Sequence, residues 1–257
     1  MTGRQILFRC GRRRGVTLIE LLVVIAIVAI LLSIIVPSLR NAARQARVVI
    51  CSSNLRSVGI AVRAYAHDFN DTLPFGPEGL PPPNFYNVKG NVTSLISLSN
   101  GKPVGLGLLL DSYVSQQPKV LFCPGVDQPS EADAQLARVG QYEAQSDYYY
   151  RHASVALLAG TPDLSHIRLG TLGKNRNGRS ITALAMDVQF LAHPSLTPFG
   201  VITRTSHTRK TVNILFADGQ VASQNNSDNR FTVDVGAAPY DALEKILKLF
   251  ERADELR

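Results

Sequence analysis

The run from Val16 to Val36, VTLIELLVVIAIVAILLSIIV, is apolar or weakly polar at every position but one. As an α-helix, its 21 residues would extend about 31 Å, which matches the hydrocarbon core of a bilayer. Residues 1–15 carry five Arg and no acid, and cytoplasmic flanks of membrane helices are rich in Lys and Arg. The sequence therefore predicts a single membrane-spanning helix with its N-terminus in the cytoplasm and its head outside.

The exceptional position is Glu20, an acid inside the apolar span. A cleaved secretory signal would have a shorter apolar region that ends in small residues, and a plain signal anchor does not need the acid. A carboxylate at membrane depth suggests a functional partner. Cleavage after Gly15 would create such a partner, the amine of Val16. Glu20 could meet this amine in its own chain, or it could meet the amine of a neighbouring chain stacked in a filament.

The segment Arg14-Gly15-Val16-Thr17-Leu18-Ile19-Glu20 resembles the cleavage and methylation motif of type IV prepilins and type II secretion pseudopilins. In that motif Gly precedes a hydrophobic residue and then Thr-Leu-Ile-Glu, and Val16 replaces the more common Phe. The resemblance implies that a prepilin peptidase cuts between Gly15 and Val16 and methylates the Val16 amine. It implies that Glu20 acts in assembly, with other pilin or pseudopilin subunits and an inner-membrane assembly platform as partners. The chain would be the substrate of an enzyme and not itself an enzyme, and no cofactor is expected.

The formal net charge of +7 is mostly a property of the leader. Without residues 1–15 the chain has 22 basic and 20 acidic side chains, a net charge of +2. Such a small excess gives little electrostatic attraction for phosphates, so nucleic acid is not an expected partner.

We predict four segments: a cleaved leader (1–15), a transmembrane helix (16–37), its extracytoplasmic continuation (38–72) and a globular head (73–257). In the continuation, Leu55, Val58, Val62 and Tyr65 follow helical spacing and predict one apolar face. Pro37 should bend the helix, because it removes a backbone donor. The arginines at other positions suggest a solvated face or contact with lipid headgroups (Arg40, Arg44, Arg47, Arg56 and Arg63).

The head is predicted to be a loop-rich antiparallel sheet followed by a helix. The strand candidates are 119–122, 180–190, 211–216, 220–223 and 231–235, and an amphipathic helix covers 241–256 with Asp241 as its N-cap. Asp218-Gly219 between two strand-like runs predicts a hairpin, because Gly accepts positive φ without steric cost. The fold class is therefore α+β and pilin-like, with the long helix packed on one face of the sheet.

Two cysteines remain after the leader and its Cys10 are removed. Cys51 and Cys123 would form a disulfide if they are close in an oxidising compartment, and otherwise they are two buried thiols. Cys51-Ser-Ser-Asn54-Leu55-Arg56, Leu121-Phe122-Cys123-Pro124 and the stretch from His207 to Asp218-Gly219 resemble the large-headed pseudopilin-like proteins of planctomycetes, which carry a His-x9-Asp-Gly signature. Here ten residues separate the His from the Asp.

Three groups in the head are candidate sites. His207 and Asp218 are either a catalytic or metal pair or parts of a hairpin with a satisfied histidine. Asp68, Asn70 and Asp71 offer oxygen ligands suited to calcium, although Asn and Asp also stop helices. Tyr148-Tyr149-Tyr150 is either a stacking patch for a glycan or base or a half-buried strand with one ring exposed.

Two functions follow from these features. The first is a structural subunit, processed by the peptidase and assembled into a type II secretion pseudopilus or a type IV pilus-like filament. The second is a membrane-anchored module that binds polysaccharide or DNA outside the cytoplasm and does not polymerise. Glu20 distinguishes them, because a plain anchor has no use for the acid.

Overall fold

The computed structural model describes residues 17–74, 94–128, 132–151, 168–199, 201–236 and 242–257, without the side chains of Phe199 and Leu243. The leader, Gly15, Val16 and Asp241 lie outside the described residues. The chain separates into two compact units, residues 1–43 and residues 44–257.

Helix α1 runs from Leu18 to Asp68 and is 51 residues long. It ends four residues before the predicted boundary at 72, and helical structure continues through Pro37. In the first unit, every large apolar side chain from Leu18 to Val36 is 40–78% exposed. By length and composition this helix can cross a membrane, and a helix that is apolar on all sides needs lipid or other apolar helices around it.

In the second unit, α1 buries one face. Leu55, Val58 and Val62 are fully buried, as their three- and four-residue spacing predicted. They belong to a cluster that includes Tyr148 and Leu215 of the sheet. Gly59 lies so close to Leu215 that an added Cβ would be 2.8 Å from that side chain. The sequence thus places a residue without a Cβ at a point where the helix lies close against the sheet.

The main sheet has four antiparallel strands in the order β3-β4-β6-β7. They are β3 (Tyr148–Tyr150), β4 (Ala183–Asp187), β6 (Thr211–Phe216) and β7 (Val221–Asn225). Met186 pairs with both Tyr149 and Ile214. The predicted hairpin is β6 and β7, and Gly219 in its turn has φ +83°.

Shorter elements surround this sheet. Strands β1 (Leu95–Ser97) and β2 (Ala144–Gln145) pair antiparallel, whereas β5 (Phe190–Leu191) and β8 (Val233–Asp234) pair in parallel. Helix α2 covers Ala132–Arg138 and helix α3 covers Ala242–Asp254. Single 3₁₀ turns complete the head (Gly105–Leu109, Pro118–Leu121, Leu169–Thr171, Pro194–Phe199 and His207–Arg209).

The face of the sheet away from α1 is covered by α3. Its side chains Ile246, Leu249, Phe250 and Ala253 are buried in a second cluster. That cluster also contains Ile214 of strand β6. The head therefore has three layers, with the sheet between two helices. Both faces of the sheet are apolar.

Several predictions for the head were wrong in detail. Residues 118–121 form a 3₁₀ helix instead of the predicted strand, since Pro118 fixes φ at the start of the turn. The candidate strands at 180–190 and 231–235 shorten to β4, β5 and β8. All three tyrosines from Tyr148 to Tyr150 are at most 3% exposed, because both faces of their strand are covered. The stacking patch and the exposed ring are thereby excluded.

Candidate functional site

The first described residues form a reciprocal cap on helix α1. The backbone N–H and the hydroxyl of Thr17 donate to Glu20 Oε2 at 2.8 and 2.9 Å, and the Glu20 N–H donates to Thr17 Oγ1 at 3.3 Å. This is a capping box, in which two unpaired helix donors are satisfied at once. Thr-x-x-Glu before an apolar run is its sequence signal, which the sequence analysis missed.

The capping box has a direct consequence for Glu20. It holds the carboxylate beside Thr17, one residue along the chain from Val16. Cleavage after Gly15 would place a cationic amine on that residue. A carboxylate held in this position is suited both to stabilise the helix N-terminus and to meet an ammonium group.

In the head, Cys51 and Cys123 are joined by a disulfide, with their Cα atoms 5.1 Å apart. The bond ties α1 to the loop after the 3₁₀ turn Pro118–Leu121, and Asn54 Nδ2 donates to Phe122 O at 3.0 Å beside it. The cysteines are 72 residues apart, and closing a loop of that size stabilises a fold by about 4 kcal/mol in the chain-entropy account. Both side chains are almost fully buried.

His207 lies against this disulfide and not against Asp218. Its Nε2 is 3.4 Å from Cys123 Sγ and 3.3 Å from Asp187 Oδ2. Strand β6 lies between His207 and the turn at Asp218. The structure therefore does not bring the predicted pair together. The sequence analysis missed Asp187, which lies at the end of β4 with no motif around it.

Asp218 and Gly219 form the turn of the β6–β7 hairpin. Asp218 Oδ1 accepts the Gln220 N–H at 2.9 Å, and its Oδ2 pairs with Arg257. Burial raises the pKa of Asp218, but the bonds with Gln220 and Arg257 outweigh burial and leave the pKa below its ordinary value. Arg63 of α1 donates to Ala217 O at 3.0 Å in the same turn. The turn therefore connects the long helix to Arg257, and the role of Asp218 is structural.

The candidate calcium ligands follow the end of α1. Asp68 Oδ2 accepts the Tyr113 hydroxyl at 2.7 Å, and Asp71 Oδ2 accepts the Gly170 N–H at 2.9 Å. Asn70 has φ +53°, a conformation that Asn tolerates where a helix stops. Each carboxylate thus binds a protein donor from a different loop, as expected of a helix-stop turn that anchors its neighbours.

Residues 10–36 match the family model of the prokaryotic N-terminal methylation motif. No curated protein and no solved structure matches the chain significantly. The motif indicates a type IV pilin-like or pseudopilin-like precursor that is anchored in a membrane by its apolar helix. Proteins with this motif are structural subunits, and the motif implies processing by a prepilin peptidase and assembly with other pilin subunits.

Proposed function

We propose that this chain is a filament subunit, cut between Gly15 and Val16 by prepilin peptidase and assembled into a type II secretion pseudopilus or a type IV pilus-like filament. The observation that carries the proposal is the methylation motif over residues 10–36, followed directly by an apolar helix with Glu20 near its start. In the assembled filament the apolar helices bundle together, and Glu20 pairs with the Val16 amine of a neighbour.

The exposed apolar surface of α1 supports this function. Its large side chains from Leu18 to Val36 require lipid before assembly and neighbouring helices after it. When the helix moves from lipid into a bundle of apolar helices, the free energy of its apolar surface changes little. Polar contacts therefore decide the register between subunits. Glu20 is the one ionisable side chain from Thr17 to Leu39.

The proposed location is the inner membrane, with a cytoplasmic N-terminus and an extracytoplasmic head. Five arginines in the leader favour the cytoplasm by the positive-inside rule. The disulfide between Cys51 and Cys123 favours an oxidising compartment for the head.

Processing is tested by the mass of the N-terminal peptide of protein isolated from native membranes. We expect a peptide that begins at an N-methylated Val16. A peptide that retains residues 1–15 would overturn the proposal and favour the anchored binding module.

Assembly is tested by a pair of matched substitutions at the cap. If Glu20 acts through its charge, Glu20→Gln abolishes filaments although glutamine still completes a capping box, and Thr17→Val leaves them intact although it removes the hydroxyl. Filaments are scored by electron microscopy and by shearing from cells, with processing of both variants checked by mass spectrometry. The reverse pattern would mean that Glu20 serves only as a helix cap, and filaments from both variants would remove Glu20 from the assembly mechanism.

A further inference from the structure

Four potential metal ligands from four separate parts of the head converge on one buried point. They are Cys51 of α1, Cys123 of the following loop, Asp187 of β4 and His207, and their donor atoms all lie within 4.8 Å of one another. The Cys51, Cys123 and Asp187 residues are at most 2% exposed, and the His207 side chain is also 2% exposed. The disulfide brings two of these donors together, and the other two are a buried carboxylate and a buried imidazole, which need polar or charged partners.

A second observation points to a missing partner. Asp187 is fully buried, and its Oδ2 accepts the backbone N–H and the side-chain amide of Asn213 at 2.8 and 2.9 Å. Its Oδ1 is buried and accepts no hydrogen bond from any described residue. A carboxylate oxygen left in this way is costly, and a cation beside it would remove the cost.

The backbone around His207 is also unusual. His207, Thr208 and Arg209 have φ between +53° and +58°, three successive non-glycine residues in the left-handed region. This conformation is unfavourable for residues with a Cβ, because the Cβ comes close to the following carbonyl oxygen. The bonds from the His207 N–H to Gly125 O at 2.7 Å and from the Thr208 N–H to Asp127 Oδ1 at 2.9 Å hold this turn in place. A Cβ on Gly125 would collide with the His207 ring, so the loop accepts the ring only with glycine there.

We propose that the dithiol form of the head binds one zinc ion through Cys51, Cys123, His207 and Asp187, and that the disulfide and the metal are mutually exclusive occupants of this site. Two sulfurs, one imidazole nitrogen and one carboxylate oxygen are a donor set that tetrahedral zinc accepts. Zinc bond lengths place neighbouring ligand atoms of a tetrahedral site about 3.4–3.8 Å apart. The distance of 3.4 Å between His207 Nε2 and Cys123 Sγ is within this range, and the Asp187 carboxylate reaches within 3.3 Å of the same Nε2 through Oδ2.

Reduction and binding form two balanced steps. A phosphine reductant breaks the Cys51–Cys123 bond, takes oxygen from water to become the phosphine oxide, and leaves the two protons of water on the thiols. Zinc then replaces those two protons as the thiolates bind it. His207 supplies the lone pair of Nε2 and Asp187 its free carboxylate oxygen. A disulfide-donating protein would restore the Cys51–Cys123 bond: its own disulfide takes the two electrons, together with two protons from solvent, to become a dithiol, and the zinc ion is released.

Asn213 positions the carboxylate ligand. Its two bonds occupy Asp187 Oδ2, so Oδ1 is the carboxylate oxygen left without a donor among the described residues and able to bind the metal. Loss of such a supporting hydrogen bond typically weakens metal affinity about 10–100-fold.

The experiment uses the full chain in detergent, freed of metal with a chelator. One sample is kept oxidised, one is reduced with a phosphine, and each is dialysed against zinc before metal analysis. We expect one zinc per reduced chain and none per oxidised chain. With cobalt(II) as the probe, the reduced chain should show the absorption of a tetrahedral thiolate complex. Equal zinc in both samples, or none in a reduced chain that keeps its tyrosine circular dichroism, would overturn the proposal.

Variants separate the site from adventitious binding. A Cys51→Ala, Cys123→Ala chain should bind no zinc under the same conditions. His207→Ala removes a ligand and should weaken zinc binding by more than about 10-fold, the least that loss of a supporting hydrogen bond typically costs, whereas His67→Ala, at an 88% exposed side chain, should leave it unchanged. If the reduced wild-type chain loses its tyrosine signal, zinc should restore it and raise its Tm. A signal that zinc does not restore, or zinc retained without the cysteines, would also refute the site.

Discussion

At the scale of single residues, Gly219 explains why the hairpin turn has its particular sequence. Its φ of +83° is costly for any residue with a Cβ, and the Arg63 guanidinium packs where that Cβ would be. The same guanidinium donates to Ala217 O. The turn is therefore built to receive an arginine from the long helix.

Gly219→Ala should destabilise the head by more than the conformational penalty of about 1–2 kcal/mol. Gly178→Ala is the matched control, because Gly178 has φ +75° and open space around its Cβ position. The difference in free energy of unfolding between the two variants, measured in urea by tyrosine circular dichroism, isolates the collision with Arg63. Equal losses would mean that Arg63 moves aside without cost.

The hydrogen bond from Tyr113 to Asp68 makes a pH-dependent contribution to stability. It lowers the pKa of Asp68, together with a weaker contact from His67, and it raises the pKa of Tyr113 from its ordinary value of 10.0 to about 12. A depressed carboxyl pKa gives stability that is lost as the pH falls through the folded-state value. A raised phenol pKa gives stability that is present below pH 10 and lost as the pH rises through about 12.

Tyr113→Phe keeps the ring that packs edge-on against Tyr65 and removes the hydroxyl. We expect its Tm to be lower than that of the wild type at neutral pH. The Tm difference should vanish in acid, as Asp68 is protonated. It should also become smaller at alkaline pH, as the pH rises above 10. Tyr142→Phe, at a 59% exposed side chain, serves as control. A Tm difference that stays constant from neutral to acid pH would contradict the role of Asp68.

At the scale of elements, α3 is held by its last residue. Asp254 is fully buried and pairs with the buried Arg151 at 3.0 Å. It also accepts the Asn175 amide at 3.0 Å and the backbone N–H groups of Thr182 and Ala183 at 2.9 and 3.0 Å. The carboxylate therefore joins the end of α3 to the start of strand β4, while the apolar face of the helix covers the sheet.

Asp254→Asn should cost about 3–5 kcal/mol, because it leaves the charge of Arg151 buried without its partner. Asp228→Asn is the control, since Asp228 is 64% exposed and 3.9 Å from Arg230, and exposed pairs contribute at most about 1 kcal/mol. Both losses are read from urea unfolding. A loss at Asp254 as small as that at Asp228 would show that the backbone donors, and not the ion pair, hold the helix.

At the scale of the whole molecule, the described apolar core belongs to the second unit. The buried apolar residues among those described begin at Cys51, and both clusters lie between Cys51 and Ala253. The described residues before Arg44, 17–43, contribute exposed apolar surface instead. The head should therefore fold without the membrane segment.

A chain that lacks residues 1–43 should be a water-soluble protein with the tyrosine circular dichroism of the full chain. Its Tm should lie within about 2–4 °C of the value for the full chain in detergent, equivalent to roughly 1 kcal/mol at this size. Size-exclusion chromatography and thermal melts provide the measurement. Aggregation or loss of the tyrosine signal would show that the first unit contributes to the stability of the head.

Local pattern was enough to predict the elements that a short window of sequence specifies. The approximate end of α1, its buried face and the β6–β7 hairpin all depend on residues at most a few positions apart, because periodicity and turn chemistry are local properties. The Thr17–Glu20 cap is equally local and was within reach of the same analysis. The predicted strand at 119–122 was wrong because its three apolar residues, Val120 to Phe122, fit a buried turn as well as a strand.

The sequence by itself determined the membrane-spanning helix, the methylation motif and the α+β class, since each follows from composition or spacing within one segment. Only the tertiary structure decided that Cys51 meets Cys123 across 72 residues, that His207 meets Asp187 instead of Asp218, and that α3 buries Tyr149 from the far side of the sheet. These contacts depend on how layers stack and on which strands become neighbours. Residues far apart in sequence come together only when the whole core is packed, so no local pattern encodes their proximity.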